Sequence, residues 1–237
     1  MSDTRDAVAP PRTRMTLAAS CLGMAALGMN GTAIMAALPT MRRDLGLNPA
    51  QLEWAINAYL VVSAACIIPG GKACDHFGAR RISTAGLALF ALASAAVATA
   101  PIPAALLAGR ALQGLAAALA VPGTLATVSD AALPERRASA IGAWAGFLML
   151  GFSLGPLIGG VLTHYLDWRV VFWASAASML VATAGFAGVG APTARAARGV
   201  GHFDLLGFVL LSIAMTTVVS ALHALPTLTS APVGFLG

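Results

Sequence analysis

Charge is what this chain has least of. Only 10% of its 237 residues are Asp, Glu, Lys or Arg, against about 25% in an ordinary soluble domain. That shortage excludes a soluble globular protein, because too few ionic side chains remain to clothe a folded surface. Lysine is almost missing: Lys72 stands alone beside thirteen arginines, and with the abundant alanine this hints at a G+C-rich bacterial genome. The three cysteines, Cys21, Cys66 and Cys74, lie in or beside apolar runs without metal-ligand spacing, which argues against disulfides and against a metal site. His76, His164, His202 and His223 are scattered, and no nucleophile–base pair or phosphate-binding loop occurs. The chain therefore offers no catalytic set and no cofactor site. Its pI of about 9.9 could suit nucleic acid, but the bases sit in short stretches beside apolar runs, where membrane topology explains them better.

What the chain does have is apolar length. It is 58% hydrophobic, with a mean hydropathy of +0.82. About 20 apolar residues at 1.5 Å rise cross a hydrocarbon core of roughly 30 Å. Seven spans are expected, near residues 16–38 (stopped by Pro39, with Arg42, Arg43 and Asp44 in a short outer loop), 52–70, 82–100, 104–128, 138–162, 169–189 and 205–225. The first run is too long for a signal-peptide core and lacks a convincing cleavage site, so it reads as a retained helix. The organisation is then a cytoplasmic tail (1–15), a six-helix bundle (16–190), a cytoplasmic loop (191–204), and a seventh helix with an outer segment (205–237) that reads as truncated. Ten of the fourteen bases fall in the loops assigned to the inside, Arg42, Arg43 and Arg169 fall outside, and Arg110 lies within the fourth span. This bias places the N-terminus in the cytoplasm.

The stretch that organises this map runs from Gly70 to Arg81, with Gly71, Lys72, Asp75, Gly78, Arg80 and Arg81 between two nearly uncharged spans. Read as a hairpin loop, it uses Gly71 for close backbone approach and Gly78 for a turn. Asp75 suits a helix cap and pairing with a nearby guanidinium. In the fifth span, Gly151, Gly155 and Gly159, with Gly160 beside them, put a smooth stripe on one face, and Pro156 bends the helix. By periodicity alone this is an ordinary packing face. In the fourth span, Arg110 and Gln113 belong to the run Gly109-Arg110-Ala111-Leu112-Gln113-Gly114. A charge there points to function by default, unless Arg110 reaches back to the outer surface. Asn30 begins the first-span run Asn30-Gly31-Thr32 that ends in Ala37-Leu38-Pro39, at a depth close to that of Arg110. Trp54 and Tyr59 suit an interfacial belt.

These elements resemble those of the major facilitator superfamily of secondary transporters. The hairpin pattern G-x-x-x-D-x-x-G-x-R-R is similar to its loop between helices 2 and 3, a likeness that implies Arg136 or Arg137 as the partner of Asp75. The helix-4 run resembles its R-x-x-Q-G element, and G-x-x-x-G-P-x-x-G-G is similar to its helix-5 antiporter motif. Asn30 falls where drug:proton antiporters usually carry an aspartate, and an amide cannot exchange a proton at physiological pH. Gln51 to Tyr59, Asp167-Trp168-Arg169 and Phe203 to Gly207 look like the fourteen-helix branch. The resemblance implies an all-α integral membrane fold, a six-helix N-terminal half built as a 3+3 inverted repeat, plus one additional helix. It implies a proton-coupled multidrug efflux transporter in a bacterial inner membrane, with lipid, a small-molecule substrate and protons as partners. Asn30, Arg110 and Gln113 would serve transport or coupling. The alternative is a truncated, non-transporting product, or a half-transporter that needs a missing C-terminal half or a second copy.

Overall fold

Six helices of the computed structural model are long and apolar enough to cross a membrane. They are α1 (Pro11–Leu45), α2 (Pro49–Phe77), α3 (Ala79–Ala98), α4 (Pro103–Ala131), α5 (Arg137–Tyr165) and α6 (Trp168–Gly188), with one 3-10 turn, Pro134–Arg136, before α5. The structure describes residues 11–188 and isolated helical positions between 206 and 217. The expected seventh span and the 191–204 loop lie outside the described residues. No strand occurs among the described residues, in keeping with the expected all-α class.

Two expectations about helix ends are corrected. Pro39 does not stop the first helix. It removes the amide donor for the Met35 carbonyl, but both residues lie on an exposed side. The chain beyond them buries Met41 and Leu47 against Val97, Leu106, Trp168 and Phe172. Burying two such side chains contributes about 1.5–3 kcal/mol each, enough to offset the roughly 3 kcal/mol cost of an internal proline. Arg42, Arg43 and Asp44 are therefore the last turn of α1 rather than a loop. The helix ends at Gly46, whose φ of +64° lets the Leu47 amide bond back to the Arg42 carbonyl at 3.2 Å, the Schellman closure. Asn48 then caps α2 by a reciprocal box with Gln51, at 2.8 and 3.0 Å.

The hairpin is the second correction. Gly71 and Asp75 are helical, in the last turns of α2, and Arg80 and Arg81 open α3. A single residue, Gly78, breaks the helix with φ +92°, a conformation that L side chains disfavour. Asp75 is exposed and caps nothing, because Gly78 occupies the cap position of α3 without a side-chain bond. Nor is Gly71 the close-approach glycine. A side chain there would meet open space, whereas a Cβ on Gly70 would strike the Ala118 carbonyl of α4.

The most extensive helix contacts are α1–α5, α2–α4, α3–α4, α3–α6 and α1–α6. Exchanging α1, α2, α3 with α4, α5, α6 maps this set onto itself, as a 3+3 repeat requires. Two apolar clusters fill the bundle. One holds Met24, Leu27, Phe90, Ala91, Ala116 and Met179; the other holds Ile34, Val97, Leu106 and Phe172. On α1, α3, α4 and α6 the break between the clusters falls at a buried polar residue, so a polar layer crosses the core between them.

Candidate functional site: a polar layer around Arg110

The layer consists of Asn30 on α1, Ser94 on α3, Arg110 and Gln113 on α4, and Ser175 on α6, all with no exposed surface. Arg110 does not reach back to the surface. Its Nε donates to the Ala55 carbonyl of α2 at 2.9 Å. Its Nη1 donates to Asn30 Oδ1 at 2.8 Å and to Gln113 Oε1 at 2.7 Å. The guanidinium lies over the Tyr59 ring, 4.6 Å from its centroid, a favourable seat for a cation in a dry site. Nη2 has no hydrogen-bond partner among the described residues.

Two matching relays lead away from Nη1. Asn30 Nδ2 donates to Ser175 Oγ at 3.1 Å, and that hydroxyl donates to the Val171 carbonyl at 3.0 Å. Gln113 Nε2 donates to Ser94 Oγ at 2.8 Å, and that hydroxyl donates to the Phe90 carbonyl at 2.8 Å. The exchange that relates the helix triplets carries one relay onto the other: α1 to α6 becomes α4 to α3. Both end on a helix carbonyl four residues back, so no polar atom of either amide is left without a partner. Every partner is neutral. Among the described residues Glu53 lies near the start of α2 and Asp75 near its end, so no carboxylate meets the guanidinium at mid-depth.

The three residues expected to serve coupling, Asn30, Arg110 and Gln113, are thus one cluster. The helix-5 motif is a second, on the other side of α1. A Cβ on Gly151 would strike the Ala25 carbonyl, and one on Gly155 would strike Thr32 Oγ1. One on Gly159 would come within 2.7 Å of the Ala33 carbonyl. Gly160 stands off, its nearest neighbour being the Ala36 side chain at 3.9 Å. The hairpin residues lie apart from both clusters. Arg80 donates to the Phe186 carbonyl and so ties α3 to α6, while Asp75 makes no ion pair with Arg136 or Arg137 among the described residues. Arg137 bonds instead to the Ser129 carbonyl at 3.0 Å. At the opposite end, Asp44 accepts from Trp168 Nε1 at 2.9 Å and pairs with Arg169 at 3.5 Å, joining α1 to α6.

Sequence reasoning missed Ser94, Ser175 and Tyr59. Tyr59 is buried under the guanidinium rather than in an interfacial belt; Trp54, by contrast, is exposed. A signal for the serines was present. The tetrapeptide Ala-Ser-Ala-Ala occurs as residues 93–96 and again as 174–177, once in the third helix of each triplet.

A family model described as the Major Facilitator Superfamily matches residues 20–233. The tetracenomycin C resistance and export protein of Streptomyces glaucescens is 36% identical over 212 residues, which cover 89% of this chain and 39% of that protein. The puromycin resistance protein of Streptomyces alboniger is 38% identical over 158 residues, 66% of this chain and 31% of the relative. The multidrug resistance protein Stp of Mycobacterium tuberculosis is 35% identical over 161 residues, 67% and 30%. The chain therefore spans well under half the length of these relatives. A crystal structure of a peptide transporter, POT, in complex with sulfate superposes with a TM-score of 0.70 at 20% identity, over 96% of this chain and 48% of that one. This last likeness is one of fold. With a family model matched across most of its length and six helices packed as an inverted 3+3 repeat, the chain belongs to the major facilitator superfamily, whose members are membrane transporters rather than enzymes.

Proposed function

We propose that this chain forms the N-terminal portion of a secondary active exporter of the fourteen-helix drug:proton antiporter branch. It would carry hydrophobic or amphiphilic small molecules across a bacterial inner membrane, with its N-terminus in the cytoplasm. The observation that carries this reading is the Arg110 layer. A guanidinium buried within a membrane-length helix, held by two neutral amides and a carbonyl, keeps its charge without a counter-ion among the described residues. It can therefore respond to a charge that arrives from elsewhere. The glycine seam of α5 on α1 supports the antiporter assignment, as do relatives whose names describe resistance and export. Asn30 cannot carry the coupled proton, so this reading assigns that proton to an acid outside the described residues. An alternative reading is a half-transporter that works only with a separate C-terminal half or a second copy.

Both readings are tested by accumulation of a lipophilic fluorescent cation in inverted vesicles, with and without a proton gradient. The chain is compared alone and fused to the C-terminal half of the Streptomyces glaucescens relative, with Asn30 and with Asn30→Asp. Flux is expected only from the fusion. Its gradient dependence with Asn30 should rest on acids of the second half and be lost when they are neutralised, and Asn30→Asp, which sets a titratable carboxyl beside Arg110, should strengthen it several-fold. Gradient dependence already strong with Asn30, and indifferent to neutralising acids of the second half, would sink the coupling assignment. Flux from the chain alone would remove the half-transporter reading.

A further inference from the structure

Pro156 has no amide hydrogen, so it cannot donate to the Phe152 carbonyl four residues before it. In a membrane no water is at hand to repair that loss. The structure supplies another donor from a different helix: Thr32 Oγ1 of α1 lies 2.9 Å from the Phe152 carbonyl oxygen. Helical hydroxyls ordinarily bond back to their own turn. Ser20, Ser83, Thr84, Ser94, Thr124 and Thr127 all do so, at 2.7–2.9 Å. For Thr32 the corresponding acceptor, the Gly28 carbonyl, is 3.5 Å away, so its one proton is committed across the seam. Gly155 makes this possible, because a Cβ there would occupy the space of Thr32 Oγ1. Among the described residues no Ser or Thr hydroxyl does the same at Pro69 on α2, the counterpart helix of α5.

We infer that Thr32 is a positioning residue: its hydroxyl stands in for the amide hydrogen that Pro156 lacks and latches α5 to α1. Asn30 lies two residues before Thr32, so the latch fixes the α1–α5 seam beside the Asn30 end of the Arg110 layer. The Gly28 carbonyl is a second acceptor within reach of the same hydroxyl. The latch accounts for the pairing of glycine and proline in the motif: proline frees a carbonyl, and the glycine before it admits the hydroxyl that satisfies it.

The test is a cycle of full-chain variants compared by thermal melting in detergent. Thr32→Val keeps the shape and removes the donor, and it should lower the melting temperature by about 3–5 °C, as expected for one buried carbonyl left without its donor. Thr32→Ser should restore it to near the native value. Pro156→Ala returns an amide hydrogen to position 156, so in that background Thr32→Val should shift melting by no more than about 1 °C. If Thr32→Val does not fold at all, Pro156→Ala should rescue it. Equal losses in both backgrounds, failure of serine to restore stability, or failure of Pro156→Ala to rescue would each overturn the latch. The melting measurements do not depend on transport, so such a result would leave the exporter reading intact.

Discussion

The α1–α5 and α2–α4 seams are the same contact repeated, yet they are closed by different chemistry. Along α1–α5, backbone meets backbone: a Cβ on Gly28 would strike the Leu148 carbonyl, and one on Gly151 the Ala25 carbonyl. A neutral hydroxyl, Thr32, completes the seam. Along α2–α4, Gly70 and Gly114 admit the Ala118 and Tyr59 carbonyls in the same way. There the bond across the seam comes from a charged group, Arg110, to the Ala55 carbonyl. A hydroxyl is fully used by one acceptor. A guanidinium has five donors, so it must recruit Asn30 and Gln113 and still has Nη2 unpaired. Small residues and a hydroxyl are enough to pack helices in lipid. A buried charge is costly there, and the layer offsets that cost with hydrogen bonds to Asn30, Gln113 and the Ala55 carbonyl.

The largest effect expected from breaking this comparison is at a backbone contact. Gly151→Leu would place a side chain against the Ala25 carbonyl, which cannot move aside as a side chain could. Overpacking costs about 1–3 kcal/mol even between side chains, so a fall of roughly 10 °C in melting temperature is expected. A loss under a few degrees would mean that the seam is looser than its geometry implies.

The charged seam should behave differently. Arg110→Met leaves two buried amide oxygens without donors, a cost of about 1–3 kcal/mol each. Adding Asn30→Leu and Gln113→Leu removes those orphaned groups. The triple variant should melt at or above the native temperature while losing efflux in the fused transporter, because an apolar replacement of a buried charged cluster is often neutral or stabilising. Were the triple variant less stable than Arg110→Met alone, the layer would be structural and its functional assignment would fail.

The smallest effect separates two adjacent glycines. Gly71→Ala meets nothing within 4 Å and should leave melting unchanged or raise it slightly, by the roughly 0.5–1 kcal/mol that alanine gains in a helix interior. Gly70→Ala should lower it, because its methyl would press on the Ala118 carbonyl. A destabilising Gly71→Ala beside a silent Gly70→Ala would reverse the assignment.

Much of this was legible without coordinates. Apolar runs gave six of the spans, and Arg110 announced itself as a charge within the fourth. Asn30 and Gln113 were recognised from their runs, and four-residue spacing showed the helix-5 stripe. The reading went astray where local rules met tertiary burial. Pro39 looked like a stop, but the turn beyond it is held by Met41 and Leu47 in the core. Gly71 looked like the contact, but rotation about α2 turns Gly70 toward α4. A loop was read over Gly70 to Arg81, where one residue of positive φ is enough.

What the sequence determined by itself is whatever depends on neighbours along the chain. Apolar length set the helices, Gly78 set the turn, and proline at position 156 set a carbonyl free. It also established that Arg110 must find acceptors and that no carboxylate at its depth in the described helices could be one. Only the tertiary structure decided which acceptors those are. Asn30 is 80 residues from Arg110, and Ser175 is 145 residues from Asn30. Thr32 meets Phe152 across 120 residues. Helix formation and membrane insertion follow from adjacent residues, but the polar atoms inside a bundle are satisfied across helices, and which faces meet is decided when the six helices pack.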